Sequence, residues 1–230
     1  MFQILFNMRI LLLSATEKEI STTVRHLESN SLTSSLTDFK TKNHEVRILV
    51  SGVGPVHMAF ALGRWFDSKQ FDLVLHAGIS GSFNDNFPIN SMLEVVRDRF
   101  ADLGAENEEG LTLDIFDLGL DDQNRFPYSN GWCEKKKIGM ELNLPKASGI
   151  TVMRSTGTLS TTERLKSQYQ ADIESMEGAS VFYACRMLDI PFVSIRCVSN
   201  MVEKRDKSKW NIVGAIENLN RTLIKILDQD

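Results

Sequence analysis

Four short apolar runs, Ile10–Leu13, Val46–Val50, Leu73–Leu75 and Phe192–Ile195, recur along the chain between stretches of helical periodicity. Runs of this kind, as opposed to alternation of apolar and polar residues, belong to strands buried on both faces. Such strands need helices packed on each side of their sheet, which makes this an α/β chain. A length of 230 residues suits one large domain or two small ones. One domain spanning 1–230 is expected, because neither a repeat nor a low-complexity tract is visible.

The helical stretches carry recognisable ends. Thr16 precedes a polar–apolar stretch running to about Leu27, and Pro55, at a first-turn position, opens Val56–Phe66. Ser160 with Glu163 resembles a capping box ahead of Leu165, and Gly178–Leu188 is apolar. Val213, Ile216, Leu219, Leu223 and Leu227 form a stripe at helical spacing on the last element. Lys42-Asn43-His44 separates two strand-like pieces and reads as a hairpin. Residues 97–147, rich in Asp and Glu with several glycines, read as a surface excursion, partly loop.

Composition removes several function classes. A net charge of −4 lacks the basic footprint that a nucleic-acid partner requires. Three cysteines with no C-x-x-C and four histidines without ligand spacing point to no metal centre. Cys185 and Cys197 sit in apolar runs as buried free thiols, which suits a reducing cytoplasm. The opening MFQILFNMRILLLSA has a faint look of a signal peptide, but Arg9 leaves only Ile10–Leu13 uninterrupted, and a first strand from near Met8 is the better reading. No segment approaches the roughly 18 apolar residues of a membrane span.

Four segments follow strands, where α/β sheets place their ligands. The first, Ser14 to Glu19, contains Thr16-x-x-Glu19, which by itself is a capping box. The second, Ser51-Gly52-Val53-Gly54, lets backbone approach a ligand at a helix N-terminus, although a tight strand-to-helix turn needs the same glycines. The third is His76-Ala77-Gly78-Ile79-Ser80-Gly81-Ser82, whose lone histidine is more often structural than catalytic. The fourth pairs Glu174-Ser175-Met176-Glu177-Gly178-Ala179 with Ser194-Ile195-Arg196-Cys197-Val198-Ser199-Asn200. Glu177 is out of place on an apolar helix unless it caps the helix or binds hydroxyls. Arg196 near the end of a buried strand must be paired, since an unpaired buried charge is very costly.

Together these segments resemble the purine nucleoside phosphorylase/nucleosidase superfamily, and its nucleosidase branch most. That family shows A-x-E-x-E, S-G-I-G, a T-G-S-A-G turn, M-E-A/G and R-A-I-S-D in this order. Here they read Ala15-Thr16-Glu17-Lys18-Glu19, Ser51-Gly52-Val53-Gly54, Ala77-Gly78-Ile79-Ser80-Gly81, Met176-Glu177-Gly178 and Arg196-Cys197-Val198-Ser199-Asn200. The resemblance covers roughly Met8 to Asn200 and is weak across 84–150. Ala101-Asp102-Leu103-Gly104-Ala105-Glu106, and Asn200 followed by Arg205-Asp206 and Trp210, are similar to the futalosine hydrolases within it. Adenine-specific members carry Asp at the Asn200 position.

The resemblance implies a single-domain three-layer sandwich with a mixed, mostly parallel sheet, forming a cytoplasmic homodimer that needs no cofactor or metal. It implies hydrolysis of a purine nucleoside through an oxocarbenium-like sugar. Glu19 becomes the base that activates water, with Arg196 to hold it. Glu177 accepts from the ribose hydroxyls, Met176 packs under the sugar, and Asn200 faces the leaving base. Gly54 and Gly78 bring backbone to the cleft. The nucleosidase serine that anchors water aligns with Ile79, a departure from the family pattern, and the adjacent Ser80 is expected among the substrate-binding residues. The phosphorylases' G-D-P-x-R-like phosphate loop is replaced by Ser14–Glu19, which favours water over phosphate. Competing readings are an adenine-releasing nucleosidase for methylthioadenosine or S-adenosylhomocysteine, a 6-oxopurine phosphorylase, and a non-catalytic nucleoside-binding module.

Overall fold

The structure, a computed structural model, describes residues 8–65, 71–136 and 142–228. Residues 1–7 of the leader-like opening, and Phe66 at the expected end of the Pro55 helix, lie outside them. Each apolar run lies in a strand: β1 (Met8–Ser14), β4 (His44–Val50), β5 (Leu73–Ser82) and β13 (Phe192–Met201). β1 runs parallel to β4 on one side and β5 on the other, and β5 runs parallel to β13.

Successive side chains of β1 point to opposite faces. Ile10 and Leu12 join the core beneath α1 (Glu17–Asn30) and α5 (Ile212–Leu227), while Leu11 and Leu13 meet α2 (Pro55–Trp65) and α4 (Gly178–Met187). A fully buried leucine contributes about 1.5–3 kcal/mol, so a strand covered on both faces gains from an unbroken run. The expected hairpin forms: β3 (Asp38–Lys40) returns antiparallel on β4 and continues to β2 (Thr33–Ser34).

Away from β1 the sheet curls. β13 pairs antiparallel with β6 (Met92–Phe100), which is parallel to β11 (Lys146–Thr151); β11 is parallel to β12 (Ile173–Ser175), and β12 returns antiparallel to β5. These five strands therefore close on themselves. Register shifts at Val198/Asn200 and Ala147/Ser148 supply the local bending that closure needs. The mixed sheet between helical layers is as expected, with the closure added.

Three sequence readings need correction. The stretch 97–147 is not all a surface excursion. β6 carries Asp98 through the centre of the sheet, and β10 (Trp132–Glu134) pairs with both β6 and β9 (Tyr128–Ser129). Only β7 (Gly104–Glu106) and β8 (Thr112–Asp114) stand apart as a two-stranded sheet. The acidic tally misled because Asp98 and Asp114 are buried, bonded to Thr151 and Arg99. α3 (Leu159–Tyr169) is capped by Thr158, whose hydroxyl accepts from the Thr161 amide, so Ser160 lies inside the helix. On α5, Val213 is exposed, and Ala215 and Ile226 take its place in the core.

Candidate active site

A cleft of about 350 Å³ opens at the carboxyl ends of β1, β5 and β13. Glu19, Ser80, Met176, Glu177 and Asn200 line it. Gly54, Gly78 and Arg196 do not; they lie directly behind the lining. A more open hollow of about 530 Å³ along β3 and β4 has its charges engaged in ion pairs such as Lys40–Glu45 and Arg47–Asp38, and brings no comparable group of candidate residues together.

Glu19 sits in the first turn of α1, and both readings of its sequence context hold at once. The Thr16 hydroxyl accepts from the Glu19 amide, and Glu19 Oε2 accepts from the Thr16 amide at 3.0 Å and its hydroxyl at 2.8 Å. Oε1 faces β5 and accepts from the Ile79 amide at 3.1 Å. The backbone behind it is locked as well: buried Asn220 of α5 donates to the Glu19 carbonyl and accepts from the Thr23 amide and hydroxyl. A carboxylate so held presents one geometry to the cleft.

Glu177 precedes α4 without capping it. Its Oε1 instead accepts from the Gly54 amide at 2.8 Å. Gly54 has a φ of +99°, the left-handed region where a side chain is penalised, and this aims its N–H at Glu177. The glycine expected to line the cleft therefore acts by positioning the carboxylate that does. Burial pushes Glu177 above the usual carboxylate range, while the Arg196 charge and the Gly54 amide pull the other way.

Arg196 is 2% exposed. Its Nη2 donates to His76 Nε2 at 2.8 Å and its Nη1 to the Ile195 carbonyl at 3.2 Å. Burial, and then the arginine charge, holds His76 well below its usual range, so the ring is neutral and accepts. No ion pair among the described residues joins Arg196 to a carboxylate, yet Glu177, Glu19 and Asp98 all favour its charged form against burial. Gly78 explains the approach to Glu19: a Cβ there would lie 3.0 Å from Glu19 Oε1 and 3.1 Å from Arg196 Nη1. Arg196 thus holds the carboxylates electrostatically from behind, with the histidine expected to be structural serving as its support.

At the far end of β13, the Asn200 Oδ1 accepts from the Ser199 hydroxyl at 2.9 Å and its Nδ2 donates to the Met201 carbonyl at 3.0 Å, leaving one amide N–H unused. Ser80 Oγ is buried without a hydrogen-bond partner. An orphaned buried hydroxyl in a cleft wall is costly unless a ligand or water satisfies it.

A sequence profile of the phosphorylase superfamily matches residues 9–229. The chain belongs to the phosphorylase superfamily. Futalosine hydrolase of Streptomyces coelicolor is 29% identical over 185 residues, covering 78% of this chain and 77% of that protein. The 5′-methylthioadenosine/S-adenosylhomocysteine nucleosidase of Colwellia psychrerythraea is 24% identical over 225 residues, covering 86% and 90%. Futalosine hydrolase of Helicobacter pylori strain 26695 superposes with a TM-score of 0.76 at 18% identity, covering 96% of this chain and 97% of that one. The sequence likenesses are to nucleoside hydrolases of this superfamily, and the superposition shows the shared fold.

As a phosphorylase-superfamily chain it holds further cleft residues to which its sequence gave no site role. Glu174 lines the cleft with both oxygens engaged by the Thr156 amide and hydroxyl. Arg205 at the rim donates to Ser155 Oγ at 3.2 Å and lies 4.7 Å over the Trp210 ring. Asp98, behind Glu177, accepts from the Thr151 hydroxyl, which in turn accepts from the Ala179 amide in the first turn of α4. The signal for Glu174 was an ionisable residue beside Ile173 in a short strand, and it is weak. Among the described residues, no group of three or more His, Cys, Asp or Glu could hold a metal ion. No helix among them is long and apolar enough to cross a membrane.

Proposed function

We propose that this chain is an N-ribosyl hydrolase that cleaves futalosine to hypoxanthine and dehypoxanthine futalosine, a step of menaquinone biosynthesis. The observation that carries the reading is the convergence of Glu19, Glu177 and the Asn200 amide on one cleft. Cleavage breaks the C1′–N9 bond with its electron pair leaving on the base, which takes up a proton from solvent to become hypoxanthine, and water adds to C1′ with loss of a proton. Glu19, fixed by Thr16 and Ile79, takes the proton from that water. Glu177 accepts from the ribose hydroxyls and places negative charge near the developing cation. Met176 packs beneath the sugar, and Ser80 offers its unpartnered hydroxyl. The free Asn200 N–H donates to N7 or O6 of a 6-oxopurine, where an ionised aspartate would be repelled by O6.

The test is to incubate the protein with futalosine, methylthioadenosine and inosine, with and without phosphate, and identify the base released. Hypoxanthine from futalosine at a rate independent of phosphate is expected. Ribose 1-phosphate as a product overturns hydrolysis, and adenine as the preferred leaving group overturns the substrate.

The protein is also proposed to act as a homodimer in the cytoplasm. The three cysteines are buried free thiols, in keeping with a reducing compartment. Val56 and Phe60 of α2 and Tyr183 and Met187 of α4 are exposed on helices that pack together. Large apolar side chains grouped in this way mark an association surface. Sedimentation at micromolar concentration is expected to show a dimer, and Phe60→Glu to shift it toward monomer. A monomeric wild type removes the proposal.

A further inference from the structure

Strand register places two polar side chains on either side of one glycine. Gly81 of β5 pairs with Glu174 of β12 on one edge and with Asn200 of β13 on the other. Directly paired residues of neighbouring strands point to the same face of a sheet, so Glu174 and Asn200 share a face across two strand spacings, about 10 Å. Both line the cleft. Gly81 keeps the interval clear: a Cβ there would lie 2.6 Å from the Val202 side chain and 3.2 Å from Asn200 Nδ2.

The two side chains differ in what they offer. Asn200 has an unused N–H. Glu174 uses one acceptor site on each oxygen for Thr156, and an ionised carboxylate retains about two more. Burial raises the Glu174 carboxyl, and the two Thr156 bonds favour its ionised form. The cleft wall thus carries a donor and an acceptor on one face, at backbone positions about 10 Å apart, which is on the order of the length of a purine ring with a hydrogen bond of about 3 Å at each end. Along one edge a 6-oxopurine presents N7 and O6 as acceptors, then N1–H as a donor. Adenine presents N7, an amino donor and a bare N1 acceptor.

We propose that Glu174 is a specificity-determining residue that accepts the N1–H of a 6-oxopurine whose N7/O6 edge faces Asn200. This rests on the nucleosidase reading above and deepens it: the preference against adenine comes from a carboxylate opposite N1 as well as from the amide N–H opposite O6. A bare N1 facing Glu174 leaves two acceptors opposed. Thr156 is the positioning residue, since its amide and hydroxyl fix the carboxylate in the plane of the base.

The free bases test this without knowledge of the 5′ group. Binding of hypoxanthine, 1-methylhypoxanthine and adenine is measured by calorimetry on the wild type and on Glu174→Gln, alongside the cleavage assay. The wild type is expected to bind hypoxanthine about tenfold to a hundredfold more tightly than either other base. In Glu174→Gln, which retains an acceptor for Thr156 and can turn an N–H toward a bare N1, the hypoxanthine-to-adenine ratio is expected to fall about tenfold or more. A Glu174 that merely braces the Thr156 loop would weaken all three bases alike and leave the ratio unmoved, which overturns the proposal. Equal wild-type binding of hypoxanthine and its 1-methyl form also overturns it, whatever the variant does. If the wild type cleaves nucleosides but only this discrimination fails, Glu174 alone loses its role. If nothing is cleaved and no base binds, the nucleosidase reading falls and Glu174 with it.

Discussion

Glu19→Gln is expected to lower kcat about 100- to 10,000-fold, the usual cost of losing a general base. Glutamine has the shape of glutamate, and its carbonyl can still accept from the Ile79 amide, but its NH2 turns a donor toward the Thr16 amide. Basicity is lost completely, whereas the helix cap is only weakened, by about 0.5–2 kcal/mol at most. The two consequences are read separately, turnover by product release and stability by the thermal midpoint. A large loss of kcat with a midpoint lowered by a few degrees is the expected pair. Near-normal turnover with the lowered midpoint would return Glu19 to a capping role alone. KM should change little, because the carboxylate acts on water rather than on the bound nucleoside.

The layers of the fold were legible because two-sided burial imposes a strong pattern: Ile10 and Leu12 face one helical layer and Leu11 and Leu13 the other, and only an unbroken run satisfies both. Helix starts were legible where the cap is local, as at Thr16, and misplaced at Ser160, where several hydroxyl residues in succession offer competing caps. The closure of the sheet was not legible. It depends on β13 pairing with both β5 and β6, a long-range choice that no local periodicity encodes. For the site, motif order located the lining carboxylates but not the division of labour behind them. Gly54 and Gly78 resemble ligand-approach glycines in sequence, yet one aims an amide at Glu177 and the other makes room for Glu19 beside Arg196. Asp98 was hidden by its acidic neighbours, since composition counts charges without regard to which of them are buried.

Asp98 should in turn make the protein less stable as pH rises from about 4 to about 7. Burial pushes its carboxyl from 3.8 up to about 7, with the Glu177 charge adding to the rise; the Thr151 hydroxyl, the Arg196 charge and the Arg99 amide oppose it. Below about pH 4 the carboxyl is neutral in both folded and unfolded chains and contributes nothing. Above that the unfolded chain loses its proton while the folded one keeps it. The unfolded state then binds fewer protons, and unfolding free energy falls with pH until the folded carboxyl also ionises near 7. About three pKa units at 1.36 kcal/mol each give a cost on the order of 4 kcal/mol, fully present above neutrality. Asp98→Asn removes the titration while leaving an acceptor for Thr151. Its stability relative to wild type, from urea midpoints at unchanged m, should grow by about 2 kcal/mol between pH 5 and pH 7 and then level off. Groups facing Asp98 from the other elements do not mimic this. Arg196 of β13 stays charged, and the Cys133 thiol of β10 is itself pushed up to about 12. Glu177 titrates in both proteins and largely cancels in the difference. A difference that stays flat from pH 5 to pH 8 would mean that Asp98 is ionised throughout, and that Arg196 compensates three full carboxylate charges around the site.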